Sequence, residues 1–381
     1  MRVLIVHPQM ALYGGAEVVI VKLAKYLEAH GHKASVLTLT TNKCKDYDGL
    51  DIITSPFEDE QIQWRPRTGS LDTLKELYKI YSVLKSLVRE RIGDYDVVNT
   101  HNFPSLWAIP NNANVVHQCN EIPDLWHNQQ IPKLVNPLLN VGRLGDRIIS
   151  NRKNAVSVVS DERMAQIFQH RYNRKPQIVP YGVDSEFWGD KSVVVNRNEK
   201  RFTVIVPSMV TPSKRQLEVL YAVNKLRKRF EGISALFVGY KDESSQYMIL
   251  IRQYIKDNGL EDCVNFTGLV NREVLRECYK LSDVAVIAGS GQGSWLGGFE
   301  ALATGTPIIV SPQLTCSTLV ESERLGIVSD DFTESIKKEY LLHEHYKKQS
   351  VWQADWVKKN LTWDNYCESM TNIMEEKCSN I

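Results

Sequence analysis

The chain has 381 residues, 43% hydrophobic and 24% charged, which excludes a disordered chain, a collagen and a small disulfide scaffold. Lys and Arg number 46 and Asp and Glu 45, a formal charge of +1, so no field of the whole molecule gathers nucleic acid. At roughly 150 residues per domain the length predicts two domains.

Taken in chain order, short apolar runs alternate with helical patterns. Val3 to Val6 is a strand, too short for a secretory leader. Gly14-Gly15 follows, then a helix from about Ala16 to Ala29 carrying Val19, Leu23 and Leu27 on one face. Gly31 stops it, and Ala34 to Leu39 is the next strand. Leu71 to Arg91 reads as a helix. Asp96-Val97-Val98, Val115-Val116 and Val156 to Val159 are further strands. A second series has strands at Phe202 to Val206, Ala235 to Val238, Val264 to Phe266, Val284 to Ile287 and Ile308 to Val310. Its helices span Ser213 to Phe230, Ser245 to Lys256 and Arg272 to Leu281. Alternation of this kind predicts an α/β protein with two parallel sheets. The boundary falls near 183–200, where Pro, Gly and charged residues read as a linker. Ligands of such sheets bind beyond the carboxyl ends of the strands, where helix N-termini point, so two such domains imply a crevice.

The chemistry is therefore sought in the loops after strands. Gly14-Gly15 lets backbone approach an anion at a helix start, but it does not match G-x-G-x-x-G and serves equally as a tight turn. Lys214 stands near the start of the helix after Phe202 to Val206. The helix dipole disfavours a cation there, and a bound anion would account for it. Five glycines fall between Gly289 and Gly298, a costly composition for a plain connector and a fitting one for backbone N–H groups that cradle phosphate or sugar oxygens. Glu300 follows in the helix that this loop opens, where a carboxylate can accept two hydrogen bonds from a vicinal diol such as ribose.

These motifs, in this order, resemble glycosyltransferase family 4, the retaining nucleotide-sugar transferases of GT-B fold. Tyr13-Gly14-Gly15-Ala16-Glu17 is similar to the family's first glycine loop, and Val179-Pro180-Tyr181-Gly182-Val183-Asp184 to its I-P-N-G-V-D hinge. Phe237-Val238-Gly239, Val264-Asn265-Phe266-Thr267-Gly268 and Leu281-Ser282-Asp283-Val284 follow the donor-domain landmarks. Phe299-Glu300-Ala301-Leu302-Ala303-Thr304-Gly305-Thr306-Pro307 resembles E-A-M-A-x-G-x-P, and Leu361-Thr362-Trp363 the start of the closing helix. The resemblance implies two Rossmann-like doubly wound domains facing a central cleft: 1–183 for the acceptor and 184–363 for the nucleotide-sugar donor, with a helix at about 364–381 packed back on the first.

It also implies roles. Glu300 binds the ribose, Lys214 neutralises the diphosphate, and Gly14 and Gly15 approach the phosphates. Backbone around Gly293, Ser294, Trp295 and Leu296 holds the donor sugar and phosphate. Two departures stand out. Gln292 occupies the place of the first glutamate of the family's E-x7-E, and Ser208 the place of an arginine that often precedes the lysine; Arg215, beside Lys214, is a candidate substitute. In the first domain His117, Asn120 and Glu121 follow a strand, with Asn120 aligned to a family histidine; these are candidates for acceptor or donor-sugar contact. His7 is a weaker one.

The implied activity is transfer of a hexose from a GDP- or UDP-linked sugar to a hydroxyl acceptor, a glycan or a lipid-linked sugar. No metal is expected, no cofactor beyond the donor, and no nucleic acid partner. The alternatives are a catalytically weak nucleotide-sugar-binding or scaffold protein of the same fold, and a sugar-nucleotide epimerase. Seven cysteines without a C-x-x-C pair argue against a zinc site or a full disulfide set and fit a reducing cytoplasm. No stretch of about 18 apolar residues occurs, so no membrane span is expected. Trp64-Arg65-Pro66-Arg67 and the basic helix after it leave open a peripheral contact of the 64–91 region with the inner face of the membrane. A core-packed helix with a solvated basic face is the favoured reading.

Overall fold

The computed structural model describes residues 1–10, 14–42, 45–55, 71–122, 136–192, 201–291 and 295–379. Gln292, Gly293 and Ser294, together with Tyr13, Cys44 and Trp64 to Arg67, lie outside the described residues. The chain divides into two compact units, Met1–Tyr181 with Asp364–Ile381, and Gly182–Trp363.

The first unit is a parallel sheet with strands β1 Arg2–Val6, β2 Lys33–Leu37, β3 Asp51–Ile53, β4 Val97–His101, β5 Val115–Gln118, β6 Ala155–Val159 and β7 Gln177–Ile178. Their spatial order is β3-β2-β1-β4-β5-β6-β7, reversing direction of growth at β1, as doubly wound sheets do. Val3, Leu4, Ile5 and Val6 are all fully buried, because helices cover both faces and leave no polar side to alternate with. Each such side chain contributes roughly 2 kcal/mol of burial. Helix α1, Gly15–Ala29, presents Val19, Ile20, Leu23 and Leu27 to the core. Helix α2, Leu71–Arg91, packs Ile80, Leu84 and Val88 into it while Tyr78 is 70% exposed and Arg89 faces solvent. The short α3, Ser105–Ala108, then α4, Asn136–Ser150, and α5, Glu162–Tyr172, follow. Asp161 caps α5 by accepting from the Met164 N–H at 2.8 Å.

The second unit is a six-stranded parallel sheet of β8 Phe202–Pro207, β9 Ile233–Val238, β10 Val264–Gly268, β11 Val284–Ile287, β12 Ile308–Val310 and β13 Ile327–Val328, ordered β10-β9-β8-β11-β12-β13. It repeats the topology of the first. Its helices are α6 Ser185–Trp188, α7 Gln216–Arg227, α8 Gln246–Asp257, α9 Arg272–Leu281, α10 Trp295–Ala303, α11 Ser317–Ser322, α12 Phe332–Leu341 and α13 His343–Asn360. The single helix expected from Ser213 is instead a 3-10 turn, Pro212–Lys214, then Arg215 in the left-handed region at φ 54°, then α7. Gly182 passes so close to the 362–363 backbone that a Cβ would lie 2.4 Å from the Trp363 nitrogen. The Val183 N–H donates to the Leu361 carbonyl beside it at 2.9 Å.

The last helix, α14 Trp363–Ser379, buries Tyr366, Cys367, Met370 and Met374, and it belongs from Asp364 onward to the first unit. A polar chain ties it in. The Tyr366 hydroxyl donates to Gln118 Oε1 at 3.2 Å, Gln118 Nε2 donates to the Tyr181 oxygen at 3.2 Å, and the Tyr181 hydroxyl donates to Asn120 Oδ1 at 2.6 Å. The six described cysteines are free thiols, and among the described residues no helix is long and apolar enough to cross a membrane.

Two stability predictions follow from this packing. Gly182→Ala should cost roughly 2–4 kcal/mol in urea unfolding, because backbone must shift; Gly93→Ala, with nothing within 4 Å of the new Cβ, serves as the near-neutral control. Glu339 on α12 is buried, its Oε2 meets no donor among the described residues, and burial raises its carboxyl from 4.5 to about 8. The folded state therefore holds a proton that the unfolded state releases between those values, so stability falls as pH rises across that window. Glu339→Gln should flatten the slope; an unchanged slope in pH-dependent melting would contradict this assignment.

Candidate functional site

In the second unit, the loops after β8, β9 and β11 meet at the carboxyl edge of the sheet. Ser208 directly follows β8, and its backbone is closely packed: a Cβ on Gly239 would stand 2.4 Å from the Ser208 carbonyl oxygen, so only glycine fits there. Two residues on, the Val210 N–H donates to the Tyr240 carbonyl at 2.8 Å. The glycine-rich loop is tied to the turn before Lys214, since the Ser290 N–H donates to the Ser213 carbonyl at 2.7 Å. The structure thus brings together the start of the glycine loop, the Lys214 turn and Ser208.

Arg215, the candidate substitute for the phosphate cation, is already engaged by carboxylates. Its guanidinium donates to both carboxylate oxygens of Glu218, to Asp330 and to Ser311 Oγ, the last at 3.1 Å. These carboxylates hold it charged and raise its pKa, and its charge is already balanced. The bonds also hold a non-glycine residue in the left-handed region, which costs of order 1 kcal/mol or more. Trp295, Leu296 and Phe299 are buried, with the Trp295 and Phe299 rings 4.4 Å apart, so a ligand at this turn would meet backbone rather than these side chains. The Gly297 carbonyl is occupied by the Tyr279 hydroxyl at 3.0 Å.

Glu300 stands in the second turn of α10. Its carboxylate meets no hydrogen-bond donor among the described residues, and desolvation raises it from 4.5 to about 7. Arg272 opposes that rise and Asp184 adds to it. Arg272 donates to Asp184 at 3.3 Å and lies over the Phe187 ring at 4.4 Å, which fixes a positive charge near the carboxylate without spending it on a hydrogen bond to Glu300. Arg272, which composition and motif did not single out, and Asp184, the last residue of the Val-Pro-Tyr-Gly-Val-Asp segment, are the charged groups that act on Glu300. The signal available was Arg272 and Arg276 four apart on one face of α9, both stacked on Phe187.

In the first unit the Gly14 N–H, at the start of α1, is capped by Glu17 Oε2 at 3.0 Å, and Gly14 and Gly15 are exposed. The other oxygen of Glu17 lies 3.7 Å from Nε2 of the buried His7. His117 bonds through Nδ1 to Thr100 Oγ1 at 2.9 Å, and burial lowers its pKa to about 4, so it is neutral at pH 7 and a poor base. Asn120 is held at both ends, donating to Asn102 Oδ1 at 2.7 Å and accepting from Tyr181. Both residues are thus bound into the unit's interior network. Glu121 is exposed on the loop beyond β5.

A family model described as Glycosyltransferase Family 4 matches residues 13–187, and one for Glycosyl transferases group 1 matches residues 201–340. The GDP-mannose-dependent alpha-(1-6)-phosphatidylinositol monomannoside mannosyltransferase of Mycobacterium tuberculosis is 23% identical over 52% of this chain and 55% of its own length, so the chain spans about half of that relative. The D-inositol 3-phosphate glycosyltransferase of Mycobacteroides abscessus is 22% identical over 85% of this chain and 76% of its own. Among solved structures, sucrose-phosphate synthase from Thermosynechococcus elongatus has a TM-score of 0.76 at 15% identity, with all of both chains covered. Anabaena HepE in complex with UDP and glucose has a TM-score of 0.73 at 15% identity, covering 99% of this chain and 100% of its own. The two family models together match most of the chain, and with its two parallel-sheet units the chain is a glycosyltransferase of the family 4 type with the GT-B fold.

Proposed function

We propose that the protein moves a hexose from a nucleotide-diphosphate sugar to a hydroxyl acceptor, with retention at the anomeric carbon and without a metal ion. One observation carries the reading: Glu300 is a desolvated carboxylate with no hydrogen-bond donor among the described residues, beside a fixed arginine, at the carboxyl edge of a parallel sheet. The two hydroxyls of a ribose supply the donors it lacks. Relatives named for GDP-mannose, and a fold neighbour complexed with UDP-glucose, support a donor of this class.

The acceptor hydroxyl attacks the anomeric carbon on the face from which the diphosphate leaves. Charge gathers on the leaving oxygens, where Lys214 and main-chain amides of the Gly289 loop stabilise it. The departing phosphate oxygen takes the acceptor's proton, so no protein base is required. That agrees with a neutral His117 and an Asn120 already bonded at both ends. Glycans and lipid-linked sugars are the acceptor classes this reading admits, and the protein works in the cytoplasm or at the inner membrane face.

A thermal-shift panel of GDP- and UDP-sugars should show about 2.7 kcal/mol of stabilisation at 100 times the dissociation constant. Donor binding requires the ionised Glu300, so affinity should rise roughly tenfold from pH 6 to pH 8 as a group of pKa about 7 ionises. Glu300→Gln should bind donor weakly and lose that dependence; full affinity in this variant would refute the site. Lys214→Ala should lower kcat on the order of a hundredfold, and NMR of the product anomer decides retention against inversion.

A further inference from the structure

We infer that Gln216 is a positioning residue for the donor diphosphate, acting through the hydroxyl of Ser208; this rests on the donor-binding reading above. Gln216 opens α7 with its side chain fully buried. Its Nε2 donates to Ser208 Oγ at 3.1 Å and to the Met209 carbonyl at 2.9 Å, which uses both amide hydrogens. Its Oε1 is buried and meets no donor among the described residues. An empty buried acceptor is costly, and an apolar side chain of the same volume would avoid that cost. What distinguishes glutamine here is therefore its pair of donors.

Those donors determine where the Ser208 proton points. A hydroxyl has one hydrogen and two lone pairs. With one lone pair held by Gln216, the hydrogen is directed away from that bond, and no acceptor receives it among the described residues. The residue is half-buried at the carboxyl end of β8, the edge where doubly wound sheets meet ligands. Its backbone is pinned by the close approach of Gly239. The result is a neutral, oriented O–H where the resembling family often places a guanidinium. It supplies a directed hydrogen bond to a phosphate oxygen without adding charge, so salt should weaken this contact less than a cation's.

The test is a double-mutant cycle on the full chain with Ser208→Ala and Gln216→Met. UDP and GDP affinity is read by calorimetry, alongside donor KM, kcat and unfolding midpoint. Each single variant should raise Kd and KM roughly tenfold with kcat little changed, and the double variant should be no worse than either single. Should Gln216→Met fold poorly, Gln216→Asn, whose amide is one carbon shorter, takes its place and should show the same coupling. A Gln216 variant that binds like the wild type, or that keeps its whole effect in the Ser208→Ala background, overturns the inference while leaving donor binding intact. A wild-type protein that binds neither UDP, GDP nor any sugar nucleotide of the panel overturns the donor-binding reading, and this inference with it.

Discussion

A fully parallel sheet buries both faces of its strands, so polar chemistry has to gather at the strand ends. In the second unit that constraint concentrates everything of interest at one edge. The strand interiors are mostly apolar, as in Val284–Ile287 and Ile308–Val310, while Ser208 and Gly239 directly follow strand termini and Ser290 and the start of α10 lie in the connection after Ile287. Close backbone contact, with Gly239 against Ser208 and Ser290 against Ser213, makes this edge a built surface rather than a set of independent loops.

Within that surface, charge is distributed unevenly. Arg215 is balanced by Glu218 and Asp330 and so belongs to the scaffold. Arg272 is balanced by Asp184, yet still lowers the cost of ionising Glu300. Glu300 is left desolvated, with no donor among the described residues. Its pKa near 7 measures the conflict between burial, which favours the protonated acid, and the nearby arginine, which favours the anion. A ligand that donates hydrogen bonds resolves this conflict, whereas an apolar one does not.

The first unit handles its polar groups differently. Asn102, Asn120, Tyr181, Gln118 and Tyr366 form one chain of hydrogen bonds from the β4 loop to the last helix. The tyrosine of the Val-Pro-Tyr-Gly segment thereby joins residues 248 positions apart in its network. Glu17 caps the first helix with its own carboxylate, which partly neutralises the anion-attracting end of α1.

Fold class, most strands, helices α1, α2, α8 and α9, and the order of the family motifs were legible in the sequence, because hydrophobic period and glycine placement are local properties. Glu300 was legible for the same reason, being embedded in a recognisable loop and helix. Helices α5, α12 and α13 were not read, since their patterns are short or strongly polar, as in His343 to Lys348. The break at Arg215 was invisible because it depends on Asp330 and Ser311, 115 and 96 residues away. Only the tertiary structure decided which charges are already paired, that His117 is neutral, that Gln216 directs Ser208, and that Arg272 stands beside Glu300. Those facts arise from side chains distant in sequence and close in space, and desolvation acts on the folded neighbourhood rather than on the residue type.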